Sequence, residues 1–363
     1  MNILSMIFGV FALLGAADRI LGNRLKLGEE FEKGVLSVGP LAVAMVGMIT
    51  VAPFLANLMI PIFRPFSSWL GIDPSFIGGF VANDMGGASI AIELSDTVWS
   101  RFHGLVVAAM MGVTICFTIP VALKTVEERY HKDMLSGILC GVATVPVGCL
   151  VGGLVMKLGF LELIRNLIPV IVISLLTCVG LVLNPVFCRK VFNLIGQIVL
   201  IVITAGLGVG IFTYITGIVL IPGLASVKDG FIVVSEIAMI LAGVFPLIAV
   251  ISKVFKKPFG WLGRLLGINE ASVVGLISSL ANSIPMFSLT KEMNSKGIVI
   301  NFAFATSASF VLGDHLAFTM AFDKTAVFGM MVGKFVGGIF AVVIANLLFH
   351  FTRKKEKTDT LAH

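Results

Sequence analysis

The chain has 363 residues, of which 58% are hydrophobic and 13% charged, and its mean hydropathy is +1.06. A soluble domain carries about a quarter charged residues, so a soluble globular protein is excluded. The net charge of +6 does not point to nucleic acid, because the basic residues sit in short loops and in the tail Arg353-Lys354-Lys355-Lys357, as orientation in a membrane demands.

Runs of about twenty apolar residues, enough to cross a hydrocarbon core of about 30 Å, recur from end to end. In chain order the predicted membrane segments are 2-20, 35-63, 74-95, 102-123, 134-157, 161-184, 191-217, 231-252, 269-290, 297-320 and 325-350. The first is read as a retained span and not a secretory signal, since no basic residue precedes it and Asp18-Arg19 follows directly. The expected organisation is one transmembrane domain over 1-352 and a cytoplasmic tail over 353-363. Cys116, Cys140, Cys149, Cys178 and Cys188 lie mostly inside apolar runs without metal-ligand spacing. That favours small-residue packing over disulfides or metal, and no cofactor is expected.

Two segments are interrupted near their middles. Segment 74-95 contains Asn83-Asp84-Met85-Gly86-Gly87, and segment 269-290 contains Asn282-Ser283-Ile284-Pro285. Helices should break there, because Gly and Pro weaken helix and polar side chains at membrane depth need internal partners. The surroundings of the two breaks recur: Pro65-Phe66 as Pro258-Phe259, and Leu70-Gly71-Ile72-Asp73 as Leu266-Gly267-Ile268-Asn269. Gly79 pairs with Gly275, and Gly137 and Gly141 pair with Gly329 and Gly333, all at offsets of about 192 to 196 residues. The expected units are a first repeat over about 1-157, a linking helix at 161-184 and a second repeat over about 191-350.

Charge placement distinguishes full crossings from re-entrant hairpins. If all eleven segments cross and the basic tail is cytoplasmic, Lys and Arg divide about 14 inside to 11 outside. If both interrupted segments fold back, about 19 lie inside, against about six outside: Arg64, Arg101, Lys157, Arg165, Lys228 and Lys324. The expected fold is therefore an all-α polytopic membrane protein of about nine crossings plus two re-entrant hairpins, with eleven full helices as the alternative. The first hairpin would start outside and the second inside, which makes the repeats inverted. Paired, interrupted segments in an inverted repeat point to a transporter's substrate site near the midplane.

The candidate site residues follow from the breaks. Asp84, flanked by Asn83 and by the close-approach pair Gly86-Gly87, reads as counter-charge for a cationic substrate or ion, against a helix-capping alternative. Asn282 and Ser283 can hydrogen-bond a hydroxyl or amine, and self-capping of the broken helix weighs equally. Ser278 and Ser279 weigh less, because Ser in membrane helices commonly bonds backbone. Phe287 or Phe302 can offer a cation-π face to an ammonium, although core packing has the stronger prior. Asp314 and His315, with Lys334 in the next segment, form either an ion pair or a proton relay. Glu93, Glu236, Asp18 and Arg19 lie near segment ends, where a structural role is favoured. The stretch Gly333 to Gly338 permits close helix packing, within one chain or between copies in a homo-oligomer. No phosphate loop, nucleophile elbow or zinc-ligand helix is present, so nothing specifies an enzyme.

Several short stretches together resemble one family. They are Ala17-Asp18-Arg19-Ile20-Leu21, Asp84-Met85-Gly86-Gly87, Ala109-Met110-Met111-Gly112, Ile119-Pro120-Val121-Ala122-Leu123 and Pro146-Val147-Gly148-Cys149. In the second half they are Ser279-Leu280-Ala281-Asn282-Ser283-Ile284-Pro285-Met286-Phe287, Gly313-Asp314-His315-Leu316 and Val332-Gly333-Lys334. Spread over nearly the whole chain, they resemble the ethanolamine permeases (EutH) of bacterial ethanolamine-utilisation operons, from which the chain departs modestly in its short tail. The resemblance implies uptake of ethanolamine through the bacterial cytoplasmic membrane, to feed the lyase that degrades it. It assigns no binding residues. The competing expectations are a carrier of another small amine or nucleoside-like solute, or a membrane enzyme acting on amino-alcohol headgroups.

Overall fold

The computed structural model describes residues 3–80, 86–254 and 256–361, without the side chains of 256, 257, 259 and 351–361. Among these residues every regular element is helical. In chain order the helices are α1 (Ile3–Ile20), α2 (Leu27–Leu70), α3 (Gly87–Leu94), α4 (Val98–Thr125), α5 (Glu128–Val155), α6 (Phe160–Leu183), α7 (Pro185–Thr216), α8 (Val227–Val254), α9 (Lys256–Leu266), α10 (Glu270–Ala281), α11 (Ser283–Leu289), α12 (Ser295–Ala308), α13 (Asp314–Phe322) and α14 (Val327–Leu361). Eight of them, α1, α2, α4 to α8 and α14, are long and apolar enough to cross a membrane. The polytopic all-α architecture expected from hydropathy is thus present.

Polar residues at the boundaries fix where the helices start and stop. The buried carboxylate of Asp18 accepts the backbone N–H groups of Leu25, Leu27 and Gly28, which satisfies donors at the start of α2. Asn184 caps α7, with Pro185 in the first turn, where no N–H is needed. The recurring Leu-Gly-Ile motif is a helix stop. Gly71 and Gly267 end α2 and α9 in the left-handed conformation, at φ +64° and +68°. Ile72 N and Ile268 N then close back on Ser67 O and Gly263 O at 3.0 Å each, while both Ile side chains are buried.

Lipid gives helices no hydrophobic reason to associate, so small residues and hydrogen bonds hold them together. At the centre α5 and α14 cross in van der Waals contact. Gly148 lies against Gly333 and Gly152 against Gly329, and Thr144 Oγ1 donates to Gly337 O at 3.0 Å. These partners advance in opposite directions along the chain, so the two helices are antiparallel. The glycines of the 333–338 stretch are therefore used within the chain: Gly337 sits on Ser307, and Gly338 on Phe304 and Ala308. Gly137 and Gly141 of α5 receive Phe302 and Thr306 of α12, which runs parallel to α5.

One expectation is corrected. Segment 297-320 was expected as a continuous crossing, but its helix ends at Ala308 and resumes at Asp314, with an unwound stretch between. The reason is tertiary. Phe310 N donates to Ser279 O and Leu312 N to Leu280 O, both at 2.9 Å, so the unwound strand satisfies carbonyls at the end of α10 that have no partner within their own helix.

Candidate site at the hairpins and the broken helix

The segment between α2 and α4 folds back on itself. A tight helical turn, Pro74–Gly79, lies alongside α3, so close that a Cβ on Gly78 would fall 2.6 Å from Gly87 O. Asp73 ties the two ends together. Its Oδ1 accepts from Ser75 N (2.9 Å) and Ser75 Oγ (2.5 Å), and its Oδ2 from Ser95 Oγ (2.8 Å) and Thr97 Oγ1 (2.9 Å). Burial opposes ionisation of Asp73, but the bonds from Ser75, Ser95 and Thr97 outweigh it and hold the carboxyl below its ordinary value of 3.8.

Ser75 Oγ also lies 2.8 Å from Nδ1 of the fully buried His103. Since the single hydroxyl hydrogen goes to Asp73, Nδ1–H of the imidazole is assigned as the donor to Ser75. This cluster is not a catalytic triad. Ser75 stands between the acid and the imidazole with its proton given to the acid, whereas in a triad the imidazole stands in the middle and takes the hydroxyl proton.

The second hairpin is closed by Asn269 at the equivalent place. Its Oδ1 accepts from Ser272 Oγ (2.5 Å) and from Asn294 N (3.3 Å), and its Nδ2 donates to Glu292 O at 2.7 Å. At the tip, Asn282 Oδ1 accepts Ile284 N at 2.8 Å and caps α11, with Pro285 in the first turn. The oxygen of Asn282 is thus used for capping, which leaves its amide nitrogen as the donor. Ser278 and Ser279 bond the backbone carbonyls of Gly275 and Leu276, as expected for serines in membrane helices.

The unwound stretch of the α12–α13 segment packs on this tip. Gly313 approaches it so closely that a Cβ there would fall 2.0 Å from Ala281 O. Phe310 adopts φ +62°, a left-handed conformation that is strained for a bulky residue and concentrates at functional sites. Its ring is held between Phe117 at 5.7 Å and His315 at 5.0 Å. Asp314 and His315 form the first turn of α13, where the positive end of the helix dipole favours a carboxylate. Around the break the buried hydroxyls of Ser283, Ser307 and Ser309 have no hydrogen-bond partner among the described residues. Buried polar groups rarely stay unsatisfied, so each of these hydroxyls is a potential partner for water or a polar ligand.

The neighbourhoods of the two hairpins meet on one turn of α4. Cys116 Sγ donates to Phe80 O of the first hairpin at 3.3 Å, and Phe117 next to it touches Phe310 of the break. Two residues earlier, Thr114 Oγ1 donates to Thr306 O at 3.0 Å, across 192 positions of sequence. Lys334, fully buried on α14, donates from Nζ to Ala109 O in the wide π-helical stretch Phe102–Gly112 of α4.

The predicted site residues are distributed as follows. Asn282 and Ser283 stand at the second tip, with Asp314 and His315 just beyond the unwound stretch that packs on it. Gly86 and Gly87 are buried at the start of α3, beside Gly78. Phe287 is buried and stacks on Phe302 at 5.4 Å with 4° between the rings, so Phe302 covers one face. Asn83 and Asp84 lie outside the described residues. Sequence reasoning gave no role to Asp73, Ser75, His103, Ser307, Ser309 or Phe310. The recurrence of Asp73 and Asn269 just past the two helix stops, and the run Thr306-Ser307-Ala308-Ser309 ahead of Gly313-Asp314, were the available signals. Among the described residues no group of at least three His, Cys, Asp or Glu can hold a metal ion.

Comparison with known proteins gives a consistent picture. The family model of the ethanolamine utilisation protein EutH matches residues 1–348. A probable ethanolamine permease EutH of Listeria monocytogenes is 45% identical over 355 residues, covering 96% of this chain and 95% of that protein. The probable ethanolamine permease EutH of Salmonella typhimurium is 36% identical, with 96% and 95% of the two chains covered. An uncharacterised protein, YxeR of Bacillus subtilis, is 42% identical over 93% of this chain and 92% of its own length. No solved structure matches.

Proposed function

This chain belongs to the family of the ethanolamine utilisation protein EutH, and on that premise we propose that it is a permease that takes ethanolamine up across the bacterial cytoplasmic membrane. The observation that carries a transport reading is the broken helix paired to the second hairpin tip, with unpartnered buried hydroxyls around it. Irregular backbone at membrane depth is tolerated where it lines a cavity, and half-helix ends there recur in secondary carriers.

Ethanolamine is mostly an ammonium ion at neutral pH and carries one hydroxyl. Its site requires an anion for one end and an amide or hydroxyl for the other. Asp84, between Asn83 and the Gly86-Gly87 pair in sequence, supplies the anion, and the Asn282 amide with the Ser283 hydroxyl receives the other end. In this reading Asp314 and His315 hold or pass a proton during the cycle, with Lys334 as their balancing cation.

The repeats are inverted in this reading. Support comes from the antiparallel α5–α14 crossing and from the Thr114–Thr306 contact, whose 192-residue separation falls within the range of sequence offsets. Alternating access exposes the site by turns to each side, with the C-terminus cytoplasmic by charge placement.

The test is uptake of labelled ethanolamine into proteoliposomes, with and without a pH gradient, by wild type and Asp84→Asn. Uptake is expected for wild type and its loss for the variant. Equal uptake by both would remove Asp84 from the site. No uptake by folded wild type would overturn the substrate, and competition by choline at equal concentration would favour a broader amine carrier.

A further inference from the structure

Away from the hairpin tips, where α5 and α12 begin beside Leu348 and Phe349 of α14, an open cavity of about 430 Å³ is lined by Lys132, Asp133, Asn294, Ser295 and Lys296. Lys132 is exposed, and Lys296 Nζ sits 6.0 Å from the centre of the Phe349 ring. Among the described residues the one carboxylate in the lining is Asp133, which already accepts a hydrogen bond from Ser295 Oγ at 2.7 Å. Two cations therefore face one engaged anion, at the positive end of α12. The basic run Arg353-Lys354-Lys355-Lys357 follows Phe349 in the same helix.

Directly beside this cavity an apolar groove of about 230 Å³ runs between α9–α10 and the outer face of α14. Gly267 lines the cavity and its chain neighbour Leu266 lines the groove, so the two adjoin at the end of α9. From Phe349 to Ile339 the groove wall descends about 15 Å along α14. Ile339 and Val343 expose 55% and 51% of their surfaces, and Trp261 and Leu265, next in sequence to the groove-lining Leu262 and Leu266 of α9, expose 59% and 65%. A polar, cationic head compartment above a narrow apolar trough has the shape and charge of a lipid site, not of a site for a soluble anion.

We propose that this cavity and groove bind an anionic phospholipid of the surrounding bilayer, its phosphate between Lys132 and Lys296 and one acyl chain along Ile339 and Val343. A zwitterionic headgroup would bring its own ammonium against the same lysines, so the charge selects anionic lipid. The site is independent of the substrate reading and stands or falls separately.

The full chain, purified and delipidated in neutral detergent, is equilibrated with phosphatidylglycerol or phosphatidylcholine, and retained lipid is measured by native mass spectrometry. Phosphatidylglycerol should be retained about tenfold more strongly, and the preference should vanish in Lys132→Gln/Lys296→Gln and persist in Lys132→Arg/Lys296→Arg. Ile339→Trp, which fills the exposed groove, should lower retention of phosphatidylglycerol, and glycerol phosphate or inorganic phosphate should not compete. Equal retention of the two lipids, an unchanged preference in the glutamine variant, or competition by either free anion would overturn the proposal.

Discussion

At the base of the first hairpin the residue that follows the helix stop is Asp73, and at the base of the second it is Asn269. Both tie the start of a fold-back segment to its end. Asp73 does so by collecting four donors from Ser75, Ser95 and Thr97 on two carboxylate oxygens. Asn269 accepts on one side, from Ser272 and Asn294, and donates on the other, to Glu292 O. One geometry is thus built twice, with a charge in the first base and none in the second. Only the first can respond to pH, and only the first continues through a serine to a buried imidazole, His103.

The largest expected effect breaks the packing of the second tip. In Gly313→Ala the new Cβ would meet Ala281 O at 2.0 Å, and the nearest atoms are all Ala281 backbone, with no flexible side chain to yield. A loss of about 4 kcal/mol is expected, seen as a collapse of the thermal midpoint of the purified protein. Gly78→Ala in the first hairpin meets Gly87 O at 2.6 Å and should cost less, about 2 kcal/mol.

The bases themselves come next. Asp73→Ala leaves three side chains and a backbone N–H without their shared acceptor and should cost about 3 kcal/mol, against about 1.5 kcal/mol for Asn269→Ala, by the same thermal measurement. If the order reverses, the charged base is not the stronger clasp.

The pH dependence sharpens the contrast. The folded carboxyl of Asp73 lies below its ordinary value of 3.8, so its contribution is fully present above that value and is lost as pH falls through the folded one. Thermal midpoints measured from about pH 6 down to about pH 3 should fall more steeply for wild type than for Asp73→Asn, whose first base resembles the second. The smallest effect belongs to Arg101, whose Nε meets Asp323 Oδ2 at 2.8 Å near the first base with 37% of its side chain exposed. Arg101→Gln should shift stability by less than about 1 kcal/mol.

The sequence made some of this legible. Hydropathy located the spans, because lipid leaves the backbone no alternative to helix. Asn282 and Pro285 announced the second break, and Gly137, Gly141, Gly329 and Gly333 marked faces that pack closely. The break between Ala308 and Asp314 was hidden because Phe310, Val311 and Leu312 are apolar and carry no local signal for unwinding. The carbonyls of Ser279 and Leu280, about thirty residues upstream, impose it. The clasp at Asp73 was hidden for the same reason, since Ser95 and Thr97 lie 22 and 24 positions away. Its recurrence as Asn269 was visible, but the bonds it makes were not. His103 sat unnoticed in an apolar run because its partner, Ser75, lies 28 positions upstream.

Binding of labelled ethanolamine to the purified protein tests most directly whether the solute is held between the hairpin tips and not at their bases. Wild type should bind, Asp84→Asn and Asn282→Ala should weaken binding by about tenfold or more, and the base variant Asp73→Asn should retain it. Wild-type affinity in both tip variants would contradict a site at the tips.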